Sequence, residues 1–277
     1  MTWHSEAPPP QARRAPGYRA RLVWRGGRIA LVIGVGVLTT LLLRLIERPL
    51  HGLQRPWTQA ITVWVCGRIL AILGLEPVLE GRPMAGPGAV VANHVSWLDI
   101  FVLNARKRVY FVAKAEVAGW PGIGFLARLV GTVFIRRDPR EARAQTGILR
   151  ERIAAGHRLL FFPEGSSTDG MRVLRFRSTL FEALNGLGTG AGTLRVQPVT
   201  LVYEAPEGED PRFYGWWGEM EFAAHLARML GAKRHGRVRM ICHAPLPAGD
   251  GTDRKTLAAA AEAAVRAGMP EERRARG

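Results

Sequence analysis

The first 28 residues hold no sustained apolar run. Pro8-Pro9-Pro10 and six arginines (13, 14, 19, 21, 25 and 28) mark residues 1–28 as a basic, Pro-rich tail. Apolar positions then take over. Ile29 to Leu43 carries no charge, and the run reaches Ile46 if Arg44 snorkels. Eighteen helical residues cover about 27 Å, against a hydrocarbon core of about 30 Å. A second apolar stretch, Trp57 to Leu75, is interrupted by Arg68 and closed by Gly74 and Pro77. Together they predict a helical hairpin over residues 29–77, in or dipping into a bilayer, with a pair of core helices as the alternative. The arginines ahead of Ile29 favour the membrane. Each contributes on the order of 1 kcal/mol near an anionic surface, and together they place that end on the cytoplasmic face of an inner membrane.

From Gly88 the pattern changes to short apolar runs separated by amphipathic stretches. Strands are expected at 88–92, 109–113, 131–136, 158–162, 194–203 and 237–242. Helices are expected at about 97–106, 121–130, 139–156, 173–188, 219–231 and 253–267. The strand runs do not alternate apolar with polar, as expected when both faces of a sheet are covered. The alternation predicts an α/β layered domain over residues 78–268, with a mixed, largely parallel sheet flanked by helices. Residues 269–277 read as a charged tail.

Charge adds one constraint. The 277 residues carry 39 Lys+Arg against 23 Asp+Glu, a net charge of +16. Such a chain suits anionic partners. The arginines are dispersed, and neither a zinc-finger spacing nor a recognition helix accompanies them, so no nucleic-acid partner is expected. Cys66 and Cys242 form no metal or disulfide pattern and suit a reducing compartment.

Open α/β folds place their chemistry at strand ends. The first strand runs into Asn93-His94-Val95-Ser96-Trp97-Leu98-Asp99. On an unbroken helix, five positions would turn His94 and Asp99 about 140° apart. They meet only if the histidine sits in the turn and the acid in the first helical turn. A carboxylate on one ring nitrogen then fixes the tautomer and frees the other as a base, whereas the plain alternative is a helix cap beside a stray histidine. The strand at 131–136 ends in Arg136-Arg137, cations suited to a phosphate or sulfonate. The strand at 158–162 ends in Pro163-Glu164-Gly165-Ser166-Ser167. No G-x-S-x-G surrounds either serine, so a serine-hydrolase elbow is unsupported.

In order, "NHVSWLD", "GTVFIRRD", "FFPEGSS" and "VQPVTL" resemble the four motifs of the glycerolipid acyltransferase family, over roughly residues 78–245. That family includes the 1-acylglycerol-3-phosphate acyltransferases and their lysolipid-acylating relatives. The resemblance implies that His94 and Asp99 are the catalytic pair. It implies that Phe134, Arg137, Glu164, Gly165, Ser166 and Pro198 belong to the substrate-binding motifs, with Arg137 on the acceptor's phosphate. Phosphatidate-forming members usually carry a hydroxyl residue and then Arg after Phe-Pro-Glu-Gly. This chain has Ser166-Ser167, and the downstream cation falls on Arg177.

The expected activity is therefore transfer of an acyl group from acyl-coenzyme A or acyl carrier protein to the sn-2 hydroxyl of 1-acylglycerol 3-phosphate at a membrane. No cofactor or metal is implied. The alternative acceptor is lyso-ornithine lipid, because the "FPEGSSTDG" form and "FYGWWGEMEF" (Phe213–Phe222) resemble the subgroup that includes lyso-ornithine lipid acyltransferases; a lipid hydrolase or a non-catalytic membrane scaffold are more distant readings. The aromatic residues Phe213, Tyr214, Trp216 and Trp217 suit either a membrane-interface belt or a loop packed on the core.

Overall fold

Two helices open the fold, α1 (Tyr18–His51) and α2 (Thr58–Leu73). Then follow β1 (Glu76–Gly81), β2 (Gly88–Ala92), α3 (Asp99–Arg106), β3 (Tyr110–Lys114), α4 (Ile123–Leu129), β4 (Val133–Ile135), α5 (Ala142–Ala154) and β5 (Arg158–Phe161). The last elements are β6 (Arg195–Glu204), α6 (Phe222–Gly231), β7 (Arg237–Cys242), β8 (Leu246–Pro247), α7 (Arg254–Ala267) and α8 (Glu271–Arg274). The computed structural model describes residues 3–5, 8–10, 15–136, 140, 142–184, 194–248 and 252–274.

The strands form one sheet in the order β1-β7-β6-β2-β5-β3-β4, with β8 pairing β6. Only the β6 pairings with β7 and β8 are antiparallel. Consequently β2, β3, β4, β5 and β6 all point their C-terminal ends the same way. One face, with Val90, Leu160, Leu201 and Tyr203, packs with Leu70 and Leu73 of α2, Val102 of α3 and Met229 of α6. The other, with Val91, Phe161 and Val196, packs with Ile153 of α5 and Leu257, Ala261 and Val265 of α7. Coverage of both faces is why the strand runs are continuously apolar.

The hairpin is present, but α1 starts at Tyr18, so part of the expected tail is helical. Its 34 residues extend about 51 Å. Two of the arginines assigned to a membrane surface work within the protein. Arg21 donates to the Gly231 carbonyl, and Arg25 donates to the Leu230 and Ala232 carbonyls. They thereby satisfy the open C-terminal carbonyls of α6. Farther along, Gly36 lets α1 approach α2 so closely that a Cβ there would sit 2.5 Å from Val65. At the far end the fully buried Glu47 accepts hydrogen bonds from the Trp57 and Thr58 amides and the Thr58 hydroxyl, at 2.7, 3.0 and 2.6 Å. A carboxylate on the open amides of a helix N-terminus is favourable, and here it locks the hairpin turn. The two helices end differently. α2 buries Ile69, Leu70 and Leu73 in the core, whereas α1 leaves Leu31, Leu38, Leu42, Leu45 and Ile46 exposed. Only 11% of its most apolar window, of mean hydropathy 2.4, is buried, and the helix is long and apolar enough to cross a membrane.

One expectation needs correction. The segment expected as a helix over 173–188 is extended to Arg177 and then forms a 3₁₀ turn, Ser178–Leu184, while 185–188 fall outside the described residues. Its backbone is drawn into tertiary partners: the Phe176 amide donates to Glu262 and the Arg177 amide to the Pro163 carbonyl. β1 was not anticipated because Glu76-Pro77 resembles a loop; it is an edge strand, where proline is tolerated. Phe213, Tyr214 and Trp217 are buried, so this loop packs on the core and forms no interface belt.

Candidate active site

β2 ends at Ala92, but its hydrogen bonding continues through a side chain. The Asn93 amide donates to the Leu201 carbonyl at 2.9 Å and accepts from the Leu201 amide at 2.7 Å. This fully buried side chain stands in for one more strand residue. The main chain is thereby released into the turn His94–Leu98 ahead of α3.

Asp99, the first residue of α3, folds back over that turn. Its Oδ2 accepts the Val95 amide at 2.8 Å, the Ser96 amide at 3.1 Å and His94 Nδ1–H at 2.7 Å. Its Oδ1 accepts the Tyr203 hydroxyl at 2.7 Å. Asp99 has no exposed surface. Four donors are what an ionised carboxylate requires at a site without solvent. The carboxylate only accepts, so Nδ1 carries the ring proton and Nε2 keeps its lone pair.

The His94 ring is held on its face as well. Phe162, which follows β5, stacks on it with centroids 4.0 Å apart and planes 9° from parallel. The His94 amide donates to Glu164 Oε1 at 3.2 Å, and its carbonyl accepts the Thr168 amide at 2.9 Å. Backbone and ring are therefore pinned while 21% of the side chain stays exposed. The result is a positioned imidazole with its free nitrogen on the accessible side.

Glu164 is the buried acid of the loop after β5. Its Oε2 has no hydrogen-bond partner among the described residues. Burial pushes this carboxyl well above the usual carboxylate range, against the opposing pull of the His94 and Leu174 amides. It is thereby biased toward the neutral form.

The remaining expected residues divide. Gly165 adopts a φ of 75°, a conformation that favours glycine, and its amide donates to the Phe162 carbonyl at 3.1 Å. Its N–H thus closes the turn after β5. Ser166 Oγ accepts the Trp3 amide at 3.0 Å, so the N-terminal segment lies over this loop. Arg177 is exposed, beside the Pro163 turn. Phe134 is half-buried on β4, opposite Ala113 and three strands from β2, about 14 Å across the sheet. Arg137 lies outside the described residues. Pro198 is buried within β6 opposite Val91, where its carbonyl accepts the His243 amide, and it makes no hydrogen bond to the histidine cluster. It sits where β7 has ended and β8 has yet to begin, so its missing N–H breaks no ladder.

The structure thus gathers His94, Asp99, Glu164, Gly165 and Ser166, and leaves Phe134 and Pro198 apart. Four participants were not anticipated: Asn93, Phe162, Thr168 and Tyr203. Asn93 and Phe162 stood inside the quoted motifs, whereas nothing local in the sequence marks Tyr203.

Residues 76–203 match the Acyltransferase family. The chain is 57% identical over 272 residues to the lyso-ornithine lipid O-acyltransferase of Rhodobacter capsulatus, covering 98% of each protein. It is 35% identical over 150 residues to a 1-acyl-sn-glycerol-3-phosphate acyltransferase of Neisseria gonorrhoeae, covering 52% of this chain and 57% of that protein. Its fold resembles the crystal structure of a 1-acyl-sn-glycerophosphate acyltransferase from Thermotoga maritima, with a TM-score of 0.58, 22% identity, and 91% of this chain and 95% of that chain covered. With 57% identity to a lyso-ornithine lipid O-acyltransferase over 98% of each chain, and residues 76–203 matching the family, this chain belongs to the acyltransferase family.

Proposed function

We propose that this protein acylates a free hydroxyl of lyso-ornithine lipid at a membrane surface, with an acyl thioester as donor. The observation that carries the acceptor is the 57% identity, across nearly the whole of both chains, to a protein of that activity. This reverses the order of the two acceptors expected from motifs alone. The sequence departure after Phe-Pro-Glu-Gly agrees with it: Ser166 and Ser167 occupy the loop where phosphatidate-forming relatives place a cation. An ornithine headgroup carries an ammonium and a carboxylate and needs no phosphate clamp.

In the proposed reaction His94 Nε2 removes the acceptor hydroxyl proton while Asp99 holds the ring. The alkoxide oxygen attacks the thioester carbonyl, the carbon–sulfur bond breaks, and the imidazolium returns its proton to the departing thiolate. General-base catalysis of this kind contributes about 10²–10⁴-fold. Acyl-coenzyme A and acyl carrier protein are both anionic thioesters that suit a chain of net charge +16. The exposed apolar stripe of α1 enters the lipid, and exposed Arg19 and Arg28, with Arg28 stacked 5.5 Å from the Trp24 ring, meet the headgroups from the cytoplasmic side.

The test is thioester consumption by membranes carrying wild-type protein or His94→Ala, with lyso-ornithine lipid and 1-acylglycerol 3-phosphate offered separately. Diacyl product from the ornithine lipid that falls at least ~10²-fold in the variant is expected. Product from the phosphorylated acceptor alone overturns the acceptor, and an active variant overturns the base.

A further inference from the structure

We propose that Tyr203 is a positioning residue of this reaction, acting through Asp99 on His94, so that the working unit is Tyr203–Asp99–His94. The inference rests on the reading of His94 as the base.

Asp99 uses its two oxygens differently. Oδ2 gathers three donors from its own turn, the Val95 and Ser96 amides and the His94 ring. Oδ1 has a single donor among the described residues, the Tyr203 hydroxyl at 2.7 Å, and that donor comes from 104 residues away at the end of β6. The turn alone holds one oxygen and leaves the plane of the carboxylate free to tilt. A hydroxyl on the opposite oxygen removes that freedom and fixes the direction in which Oδ2 meets Nδ1. Tyr203 can act this way because it is itself immobile. It is buried, it pairs with Val238 of β7, and its ring lies 5.1 Å from that of Tyr214. Tyr214 in turn accepts the Gly236 amide at 2.8 Å and contacts His235 Nδ1 at 3.3 Å. Among the described residues this hydroxyl is bonded to no backbone group and is spent on the carboxylate. Burial and the adjacent Asp99 charge keep the Tyr203 phenol well above its usual range, so it stays a donor.

The titratable and charged groups facing this unit are Glu164, Tyr214, His235, Arg273, which donates to the Tyr203 carbonyl at 3.2 Å, and, across Trp97, His225. Burial raises the Glu164 carboxyl and the Tyr214 phenol, and lowers His235 to about 4 and His225 to about 3. Because the raised Glu164 carboxyl also faces the pair, His94 is followed directly by chemical modification as well as by the activity profile.

The experiment compares wild type, Tyr203→Phe and His94→Ala in detergent micelles, with lyso-ornithine lipid and an acyl-coenzyme A. Phenylalanine keeps the ring contact to Tyr214 and removes only the donor. Losing a hydrogen bond to a charged group predicts a kcat about 10-fold lower, with KM changed less than about twofold. The acid limb of the pH profile moves to higher pH, because the carboxylate loses a donor that spread its charge. A purely structural role lowers activity by one factor at every pH and leaves the limb in place. The same shift is read without turnover from the pH dependence of His94 carbethoxylation by diethyl pyrocarbonate. An unmoved limb in both measurements, beside an inactive His94→Ala, overturns the role of Tyr203. An active His94→Ala instead overturns the base reading on which it stands.

Discussion

Asp99 serves the fold and the chemistry at once, and two substitutions separate the roles. Asp99→Ala removes the acceptor of two buried backbone amides, the His94 ring N–H and the Tyr203 hydroxyl. The Val95 and Ser96 amides alone, stranded without solvent, cost about 1–3 kcal/mol each, or about 2–6 kcal/mol together. That is a large share of a domain stability of roughly 5–15 kcal/mol. Asp99→Asn keeps the shape. Its carbonyl oxygen in the place of Oδ2 retains three donors, and its amide NH₂ in the place of Oδ1 faces Tyr203, whose hydroxyl turns to accept. The expected loss of stability is about 1 kcal/mol. The charge is gone, however, and the imidazolium formed during proton transfer loses a carboxylate oxygen 2.7 Å from Nδ1. Close, desolvated charge pairs couple by about 1.5–7 kcal/mol, and about 3 kcal/mol is assigned here to a ring that is partly exposed. That loss corresponds to roughly 10²-fold in rate. Thermal unfolding in detergent and initial rates of acyl transfer check both numbers. The expected outcome is a folded but slow Asn variant and a poorly folded Ala variant. An Asn variant within about threefold of wild type refutes the electrostatic role, and an Ala variant as stable as wild type refutes the account of the turn.

Other consequences follow from the same geometry. Asn93→Ala strands the Leu201 amide and carbonyl and is expected to cost about 2–4 kcal/mol, read as a lower unfolding midpoint; an unchanged midpoint would show that the side chain does not continue the sheet. Acid should destabilise the fold through His225, which accepts the Trp97 indole N–H at Nδ1 and is lowered by burial from 6.5 to about 3. The unfolded chain binds that proton first, so this contribution is complete above pH 6.5. It is lost by up to about 1.4 kcal/mol per unit as pH falls toward 3. Melting temperatures of wild type and His225→Gln between pH 7 and 5 check this, and equal slopes in both would count against it.

Much of the architecture was legible because burial on both faces leaves a simple trace. Each apolar run after Gly88 became a strand, with ends displaced by no more than two residues. The hairpin was legible for a related reason, since sixteen or more helical residues with few charges have few soluble uses. The segment at 173–188 misled because Val173, Phe176 and Leu180 repeat at helical spacing while serving as separate plugs beneath the second face of the sheet. Nor did the sequence show that Arg21 and Arg25 close the end of a helix more than 200 residues away.

For the site, local sequence determined every contact that lies within one turn: His94, Asp99 and the Val95 and Ser96 amides are close in chain and had to be close in space once β2 stopped and α3 began. The ordered motifs added Glu164 and Gly165 because β5 lies beside β2. Only the tertiary structure decided which long-range groups complete the site. Phe162 reaches the His94 ring because of the β2–β5 register, and Tyr203 reaches Asp99 because β6 lies on the other side of β2. Both are apolar-looking positions at strand ends whose function depends on a neighbouring strand, and spacing along the chain carries no trace of that neighbour.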